Sequence, residues 1–399
     1  MNGLLYIDAA AVEAGLREAV ERGLIEPGLA QRVRLVTRLV TAPVAGGAAA
    51  PDGPYDAVSG EALGQSLGLS RAAVHKHVAQ LRGLGFQLES AAGVGHRLLE
   101  PFSDLVAAEA LLPHLLSAEG RGSAHEGWRA GLPCHYRASC DSTNRVLRGL
   151  IQGDVPPAGT TVVTDHQSQG RGRLDRVWRD QGGTDLMFSV LLRPALAPGQ
   201  AHLLSLAAAL AVAETLESLP DLGLPALETP VDVKWPNDVL VGGRKVCGIL
   251  LEGAMDGDRL HWAIAGIGLN VNGDTAELAA TIEREDPEGL GGRPRPVALR
   301  ELLGGPVPRA PLLAAFLGRL TARWKDLERP GGLTSVLEGL RRRDPLLGRP
   351  VEVFGAASRS EAAQVGEGAG IGPEGQLLVR TPGGDTVPVY AGDVSLRRP

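Results

Sequence analysis

Gly170-Arg171-Gly172-Arg173-Leu174-Asp175-Arg176-Val177-Trp178 threads three arginines through glycine between two stretches that read as β-strands. The strand before it is Gly159-Thr160-Thr161-Val162-Val163-Thr164, short and β-branched; the one after is Asp185-Leu186-Met187-Phe188-Ser189-Val190-Leu191-Leu192, an apolar run of strand length. Close backbone approach and dense positive charge suit a nucleotide phosphate. A dinucleotide fingerprint is excluded, because Asp175 stands where the third glycine belongs and no helix follows. No Walker loop G-x-x-x-x-G-K-[ST] occurs, and the kinase partners H-R-D and D-F-G are missing. On the loop alone, a solvated basic hairpin remains the alternative.

Working outward, the chain is organised as several domains. Its 399 residues suffice for two or three cores, and 44% hydrophobic with 22% charged residues is ordinary for a soluble protein. Few aromatics (4%), 54 glycines and 28 prolines point to a loop-rich α/β protein with aliphatic cores. A net charge of -6 excludes nucleic-acid coating by the whole chain, so DNA contact must be local. Cys134, Cys140 and Cys247 lack metal-ligand spacing and read as reduced thiols. With no targeting segment or long apolar run, a cytoplasmic protein without membrane partners is expected.

Before the arginine loop, residues 12 to 42 carry helical spacing broken at Pro27-Gly28, and 42 to 54 read as a small-residue linker. Ser59 then caps one short helix, Gly68 turns, and Ser70 caps a second reaching about Arg82, which is helix-turn-helix grammar. Val74, Val78 and Leu81 share one face of the second helix, leaving Ser70, Arg71, His75, Lys76 and Arg82 as DNA-reading candidates. Residues 85 to 99 pattern as a two-stranded wing. Four Lys/Arg against three Glu between 58 and 100 keep a helical protein-contact module open as the alternative. A mixed-sheet α/β domain starts near residue 101, and short strands at regular spacing after Leu346 read as a small all-β barrel. The expected boundaries are 1–100, 101–345 and 346–399.

Four further segments supply chemistry around the loop. Asp141-Ser142-Thr143-Asn144 opens a helix with hydroxyls and an amide, and Gln167 stands just before Gly170. Lys234-Trp235-Pro236-Asn237-Asp238 follows one strand, and Gly266-Ile267-Gly268-Leu269-Asn270 ends another.

With G-R-G-R-x-x-R-x-W at 170–178, K-W-P-N-D at 234–238, S-T-N at 142–144, G-x-G-L-N at 266–270 and the winged helix, the chain resembles the biotin protein ligases that double as biotin operon repressors. The resemblance runs from about Val58 to the terminal Gly392-Asp393-Val394-Ser395-Leu396-Arg397. It implies an N-terminal winged helix-turn-helix, a central class II synthetase-like mixed-sheet catalytic domain and a C-terminal SH3-like barrel. It also implies biotin, ATP and Mg2+ as ligands, a biotin carboxyl carrier domain of acetyl-CoA carboxylase as acceptor, operator DNA, and a homodimer when the adenylate is bound.

The same resemblance assigns roles. Lys234, Arg171 and Arg173 are the expected catalytic residues. Ser142, Thr143, Asn144, Gln167, Gly170, Arg171, Lys234, Gly266 and Gly268 are expected at biotin; Arg171, Arg173, Arg176, Trp178, Lys234, Asn237 and Asn270 at ATP or the adenylate. Asn237 and Asp238 are the candidates for magnesium. Trp178 and Trp235 are expected to wall the biotin site or to be core. Leu174-Asp175 departs from the commoner Arg-Gly or His-Gly pair, and Glu277 to Leu290 holds no tryptophan, so an adenine lid there must be aliphatic or missing. A ligand-sensing repressor without ligase activity and a lipoate ligase are the alternative functions.

Overall fold

Why the first helices form is plain from their stripes. Val12, Leu16 and Ala19 bury one face of α1 (Ala9–Glu21), whose first amides bond the side chain of Asp8. Val33, Val36 and Leu39 do the same for α2 (Pro27–Thr41). The computed structural model describes residues 7–41, 55–102, 104–117, 128–153, 155–174, 176–257, 259–285, 294–355 and 362–396. Asp175, the linker 42–54, residues 286–290 of the lid segment and Arg397 therefore lie outside the described residues.

The helix-turn-helix follows as α3 (Gly60–Leu67) and α4 (Arg71–Gly83), capped by Ser59 and Ser70 as their sequence requires. Gly68 makes the turn at φ +65°, a left-handed conformation that favours glycine. The wing is the hairpin β1 (Leu88–Ala91) and β2 (Gly95–Leu98), tied back to the start of α3 by a Val58–His96 bridge. α2 packs on α3, α4 and β2, so it serves as the third helix of this module. The sequence expectation that the winged helix begins near Val58 is thus short by one helix, which the linker separates from its partners.

The same two helices reach the central domain. α5 (Ala108–Ser117) is buried along its whole length between α1, α2 and a later helix, α10 (Arg309–Glu328). Arg32 donates to Glu109 at 2.6 Å, and the Asp8 amide donates to Ser117 Oγ at 2.7 Å. Glu109 is nearly dry, so its charge needs that guanidinium.

The central domain continues through β3 (Cys134–Arg137), α6 (Thr143–Gln152), β4 (Thr161–Thr164), β5 (Leu186–Leu192), α7 (His202–Glu217), β6 (Val231–Lys234), β7 (Asp238–Val241), β8 (Arg244–Asp256) and β9 (Arg259–Leu269). Then come α8 (Thr275–Glu285), α9 (Leu299–Leu303), α10 (Arg309–Glu328) and α11 (Gly332–Arg341). The strands form one mixed sheet in the order β3-β4-β5-β9-β8-β7-β6, with only the β3–β4 pair parallel. α7, buried almost all round, packs across β6, β7 and β8 and against α10. α6 lies over β4, β5 and β9. Sequence patterning missed β3 and β7: Cys134-His135-Tyr136-Arg137 lacks the β-branched residues that mark β4, and β7 begins inside the K-W-P-N-D motif.

The last segment is a five-stranded antiparallel sheet in the order β13-β12-β11-β10-β14. Its strands are β10 (Pro350–Phe354), β11 (Ala362–Ile371), β12 (Leu377–Arg380), β13 (Thr386–Val389) and β14 (Asp393–Leu396), close to the expected spacing. Trp235, buried, donates its indole N–H to Gly375 O at 3.1 Å and so joins the central sheet to this one. That side chain is core at a domain contact and does not wall the cavity described below.

His114 reports on the α5 junction. It is buried with its ring centroid 5.6 Å from that of Phe102, and burial lowers its pKa from 6.5 to about 4. The folded ring stays neutral while the unfolded one protonates, so this contribution is present above pH 6.5 and is lost as pH falls towards 4. The gap corresponds to about 3 kcal/mol. Denaturant titrations across that range should show the loss, and His114→Leu should flatten it; an equal acid slope in the variant would refute the assignment.

Candidate active site

The sheet register builds the site's floor. Within the β8–β9 ladder Gly248 stands opposite Gly268 and Leu250 opposite Gly266, which leaves a bare strip beside the loop. A Cβ on Gly268 would lie 2.2 Å from the Trp178 ring, and one on Gly266 would lie 2.3 Å from Asn144 Oδ1. Both glycines are needed for close approach. Trp178 rests there because the arginine loop folds back as a hairpin: its amide donates to Gly170 O at 3.0 Å, and Gly172 N donates to Arg176 O at 2.7 Å. Leu174 turns the tip at φ +55°, an uncommon conformation for a side chain of its size.

A cavity of about 510 Å³ opens above this floor. Ser142, Thr143, Asn144, Gln167, Arg171, Arg173, Arg176, Trp178, Lys234, Asn237, Asp238, Gly266, Gly268 and Asn270, gathered from separate stretches of sequence, all line it. Gly170 does not; it stands behind the wall as the clasp of the hairpin.

One end of the cavity is an amide and hydroxyl network at the start of α6. Gln167 Oε1 accepts from the Thr143 amide at 2.9 Å and from Thr143 Oγ1 at 3.2 Å. Ser189 Oγ lies 2.6 Å from both Thr143 Oγ1 and Asn144 Oδ1, and Asn144 Nδ2 donates to Glu252 at 2.9 Å. Ser142 sits at the helix cap position with no side-chain cap bond, and its buried hydroxyl lines the cavity. Ser189 was not singled out from the sequence, though it is the one polar residue inside an otherwise apolar strand. Glu252 was missed outright: at the end of β8 it reads as any solvent-facing carboxylate.

The other end is cationic. Lys234, at the end of β6, is 5% exposed, and its ammonium has no hydrogen bond or ion pair among the described residues. Burial lowers its pKa, and the nearby carboxylates of Asp238 and Asp393 pull the other way. Arg173 donates to Asn237 Oδ1 at 3.2 Å and to Gly392 O at 2.9 Å, while Arg176 is bonded to Asp393. Burial lowers the pKa of Arg173 as well. The C-terminal sheet thus holds the arginine loop from outside the central domain. Lys245 pairs with Asp238 at 2.6 Å and lies 5.9 Å from the centre of the Trp178 ring. Beyond Asn270, Leu278 and Ile282 of α8 reach the cavity one helical turn apart, so the wall there is aliphatic.

Four polar atoms of wall residues, Arg176 Nε, Trp178 Nε1, Asp238 Oδ1 and Asn270 Oδ1, are buried without a hydrogen bond among the described residues, although Asp238 Oδ1 lies 2.6 Å from the Lys245 ammonium; such groups are open to a water or a ligand. The magnesium expectation fares differently. Asn237 spends its amide on Arg173 and Ile249 O, Asp238 is paired with Lys245, and no group of three or more acidic, His or Cys side chains gathers among the described residues. These residues do not by themselves make a cation cage.

On α4, Arg71, His75, Lys76 and Arg82 are exposed as expected. Two candidates have other duties: Ser70 Oγ accepts from the Ala73 amide, and Arg82 braces the wing through Leu88 O at 2.9 Å and Ser90 Oγ at 2.8 Å. The His75 ring meets that of His96 edge-on at 5.0 Å. Arg71 and Lys76 are left to reach a phosphate.

Comparison with known proteins agrees with this geometry. Residues 136–270 match the biotin/lipoate A/B protein ligase family, and residues 54–97 match a helix-turn-helix domain. The bifunctional ligase/repressor BirA of Bacillus spizizenii is 30% identical over 339 residues, which is 85% of this chain and 94% of the relative. The biotin–[acetyl-CoA-carboxylase] ligase of Mycobacterium tuberculosis is 31% identical over 68% of this chain and 90% of its own length. The biotin protein ligase from Aquifex aeolicus in complex with biotin and ATP superposes with a TM-score of 0.51 at 29% identity, covering 67% of this chain and 99% of that one. Identity at this level across most of both chains makes this protein a member of the biotin/lipoate protein ligase family, in its bifunctional ligase/repressor branch.

Proposed function

We propose that the chain joins biotin to a lysine of a biotin carboxyl carrier domain in two steps, and that it represses biotin genes when loaded with the intermediate. The observation carrying the first half is Lys234: a buried ammonium, without an ion pair among the described residues, at the arginine-lined end of a cavity whose other end is lined by amides and hydroxyls. In the first step a biotin carboxylate oxygen attacks the α-phosphorus of ATP, and the bond to pyrophosphate breaks with its electron pair leaving on pyrophosphate. Two anions must meet, so pre-placed positive charge lowers the barrier. Lys234 is set to neutralise both reacting groups, and their negative charge would in turn keep it protonated against its burial. In the second step a neutral lysine amine attacks the biotinyl carbonyl and AMP departs.

The remaining residues divide the binding work. Ser142, Thr143, Asn144 and Gln167 offer hydrogen bonds to a ureido ring, and Gly266 and Gly268 let Asn144 and the Trp178 ring lie against the sheet beside it. Arg171, Arg173 and Arg176 face the phosphates, for which guanidinium forks are suited. Asn237 shapes that end by holding Arg173, and Leu278 and Ile282 offer the base an aliphatic wall in place of an indole. Magnesium would arrive on the nucleotide phosphates. Three modules, 1–100, 101–345 and 346–399, then read DNA, catalyse and hold the loop. No helix among the described residues is long and apolar enough to cross a membrane, and all three cysteines are free thiols, in keeping with work in the cytoplasm.

Lys234→Met should lower biotin-dependent pyrophosphate release by at least about a hundredfold while the thermal transition is kept, since the variant sheds a desolvated charge. Release at the wild-type rate would sink the assignment. Competition by lipoate and not by biotin would favour lipoate ligation, and DNA control without acceptor labelling would favour a pure sensor.

Repression rests on α4 joined to this site, through a dimer that sets two winged helices on a palindrome. In fluorescence anisotropy with duplex from upstream of biotin-synthesis genes, biotin plus ATP should tighten binding. Arg71→Ala and Lys76→Ala should each weaken it and reduce the salt slope by about 1. Affinity indifferent to biotin and ATP would exclude the co-repressor role.

A further inference from the structure

We infer that Glu252 is a positioning residue that sets the Asn144 amide and the resting place of Arg171 together, so that the biotin end of the cavity and the arginine loop share one carboxylate. This rests on the biotin-ligase reading above, and it adds a residue outside the cavity wall.

Glu252 lies near the far end of β8, beyond the glycine strip, with its side chain 15% exposed. Its two oxygens have three donors. Oε2 accepts from Asn144 Nδ2 at 2.9 Å; Oε1 accepts from Arg171 Nη1 at 2.9 Å and lies 3.1 Å from Arg148 Nη2 on α6. Those donors come from two elements: the helix that opens the amide network, and the arginine loop.

The consequence for Asn144 is orientational. An ionised carboxylate only accepts, so the amide nitrogen of Asn144 must face Glu252 and its oxygen must face Ser189, with Gly266 close beneath. Without the carboxylate, the amide could turn over, and the Ser189 hydroxyl, which meets Thr143 Oγ1 on its other side, would lose Asn144 Oδ1 as its acceptor. For Arg171 the consequence is one of location. Its guanidinium is half exposed, and Glu252 is the partner that keeps it beside the cavity in the ligand-free protein. A phosphate arriving in the cavity competes for the same fork. Glu252 is not among the residues that line the cavity, so it acts on the cavity through Asn144 and Arg171.

Two full-length variants test this. Glu252→Gln keeps an acceptor for Asn144 but removes the charge that holds Arg171; Glu252→Ala removes both. Without ligands, tryptic cleavage after Arg171, Arg173 or Arg176 should be about fivefold faster in either variant, and biotin with ATP should slow it again. In acceptor biotinylation, Glu252→Ala should raise KM for biotin on the order of tenfold, the size expected for a lost charged hydrogen bond, with a much smaller change in kcat. Glu252→Gln should raise it less. Wild-type cleavage rates in Glu252→Gln, or a fall in kcat with KM for biotin unmoved, would overturn the inference. If wild-type protein itself shows no biotin-dependent turnover, the ligase reading fails, while the tryptic comparison still decides whether Glu252 holds the loop.

Discussion

Everything at the site depends on the register of one ladder. β8 and β9 are the two long strands, and they run antiparallel through the sheet so that Gly248 meets Gly268 and Leu250 meets Gly266. A slip by one residue would exchange the faces of every side chain on the moved strand. The bare strip would then turn towards the helices beneath, Trp178 would lose its bed, and Glu252 would point away from Asn144 and Arg171. The pairing is fixed elsewhere, by buried Ile249, Ile267 and Leu269 on the face that cannot be exposed. Core packing thus specifies the position of glycines that contribute nothing to the core.

Charge is managed in layers around that strip. Lys234 is dry and has no ion pair among the described residues, but Asp238 and Asp393 are near enough to temper the cost of its burial. Asp393 belongs to the C-terminal sheet, which also grips Arg173 and Arg176. A small all-β domain that contributes little to the cavity wall therefore sets the electrostatic balance within it.

Much of this is legible in the sequence alone. The capping serines, Gly68 and the apolar face of α4 are local signals, and local signals survive folding. The motifs at 142–144, 170–178, 234–238 and 266–270 each carry a recognisable spacing, and apart from Gly170 the residues they single out for the ligands line one cavity. What escaped reading is relational. Trp235 shares a motif with Lys234, yet it faces the C-terminal sheet, and no spacing in five residues distinguishes a wall from a joint. Glu252 and Asp393 matter through partners roughly eighty and two hundred residues away, separations that only topology brings together. Helix α2 lay beyond a linker that interrupts the pattern it completes.

The α5 helix gives the molecule an unusual kind of modularity. Ten consecutive residues, Ala108–Ser117, are buried on all sides, with one set of neighbours belonging to the DNA-reading head and the other to the ligase. Neither half owns this helix. Severing the chain at the apparent seam near residue 100 would leave the ligase with an apolar flank open to water and strip α1 and α2 of their support. A change from one architecture in the family to the other, with or without the head, would require that flank to be resurfaced with polar residues first. The seam visible in the sequence is not a seam in the solid.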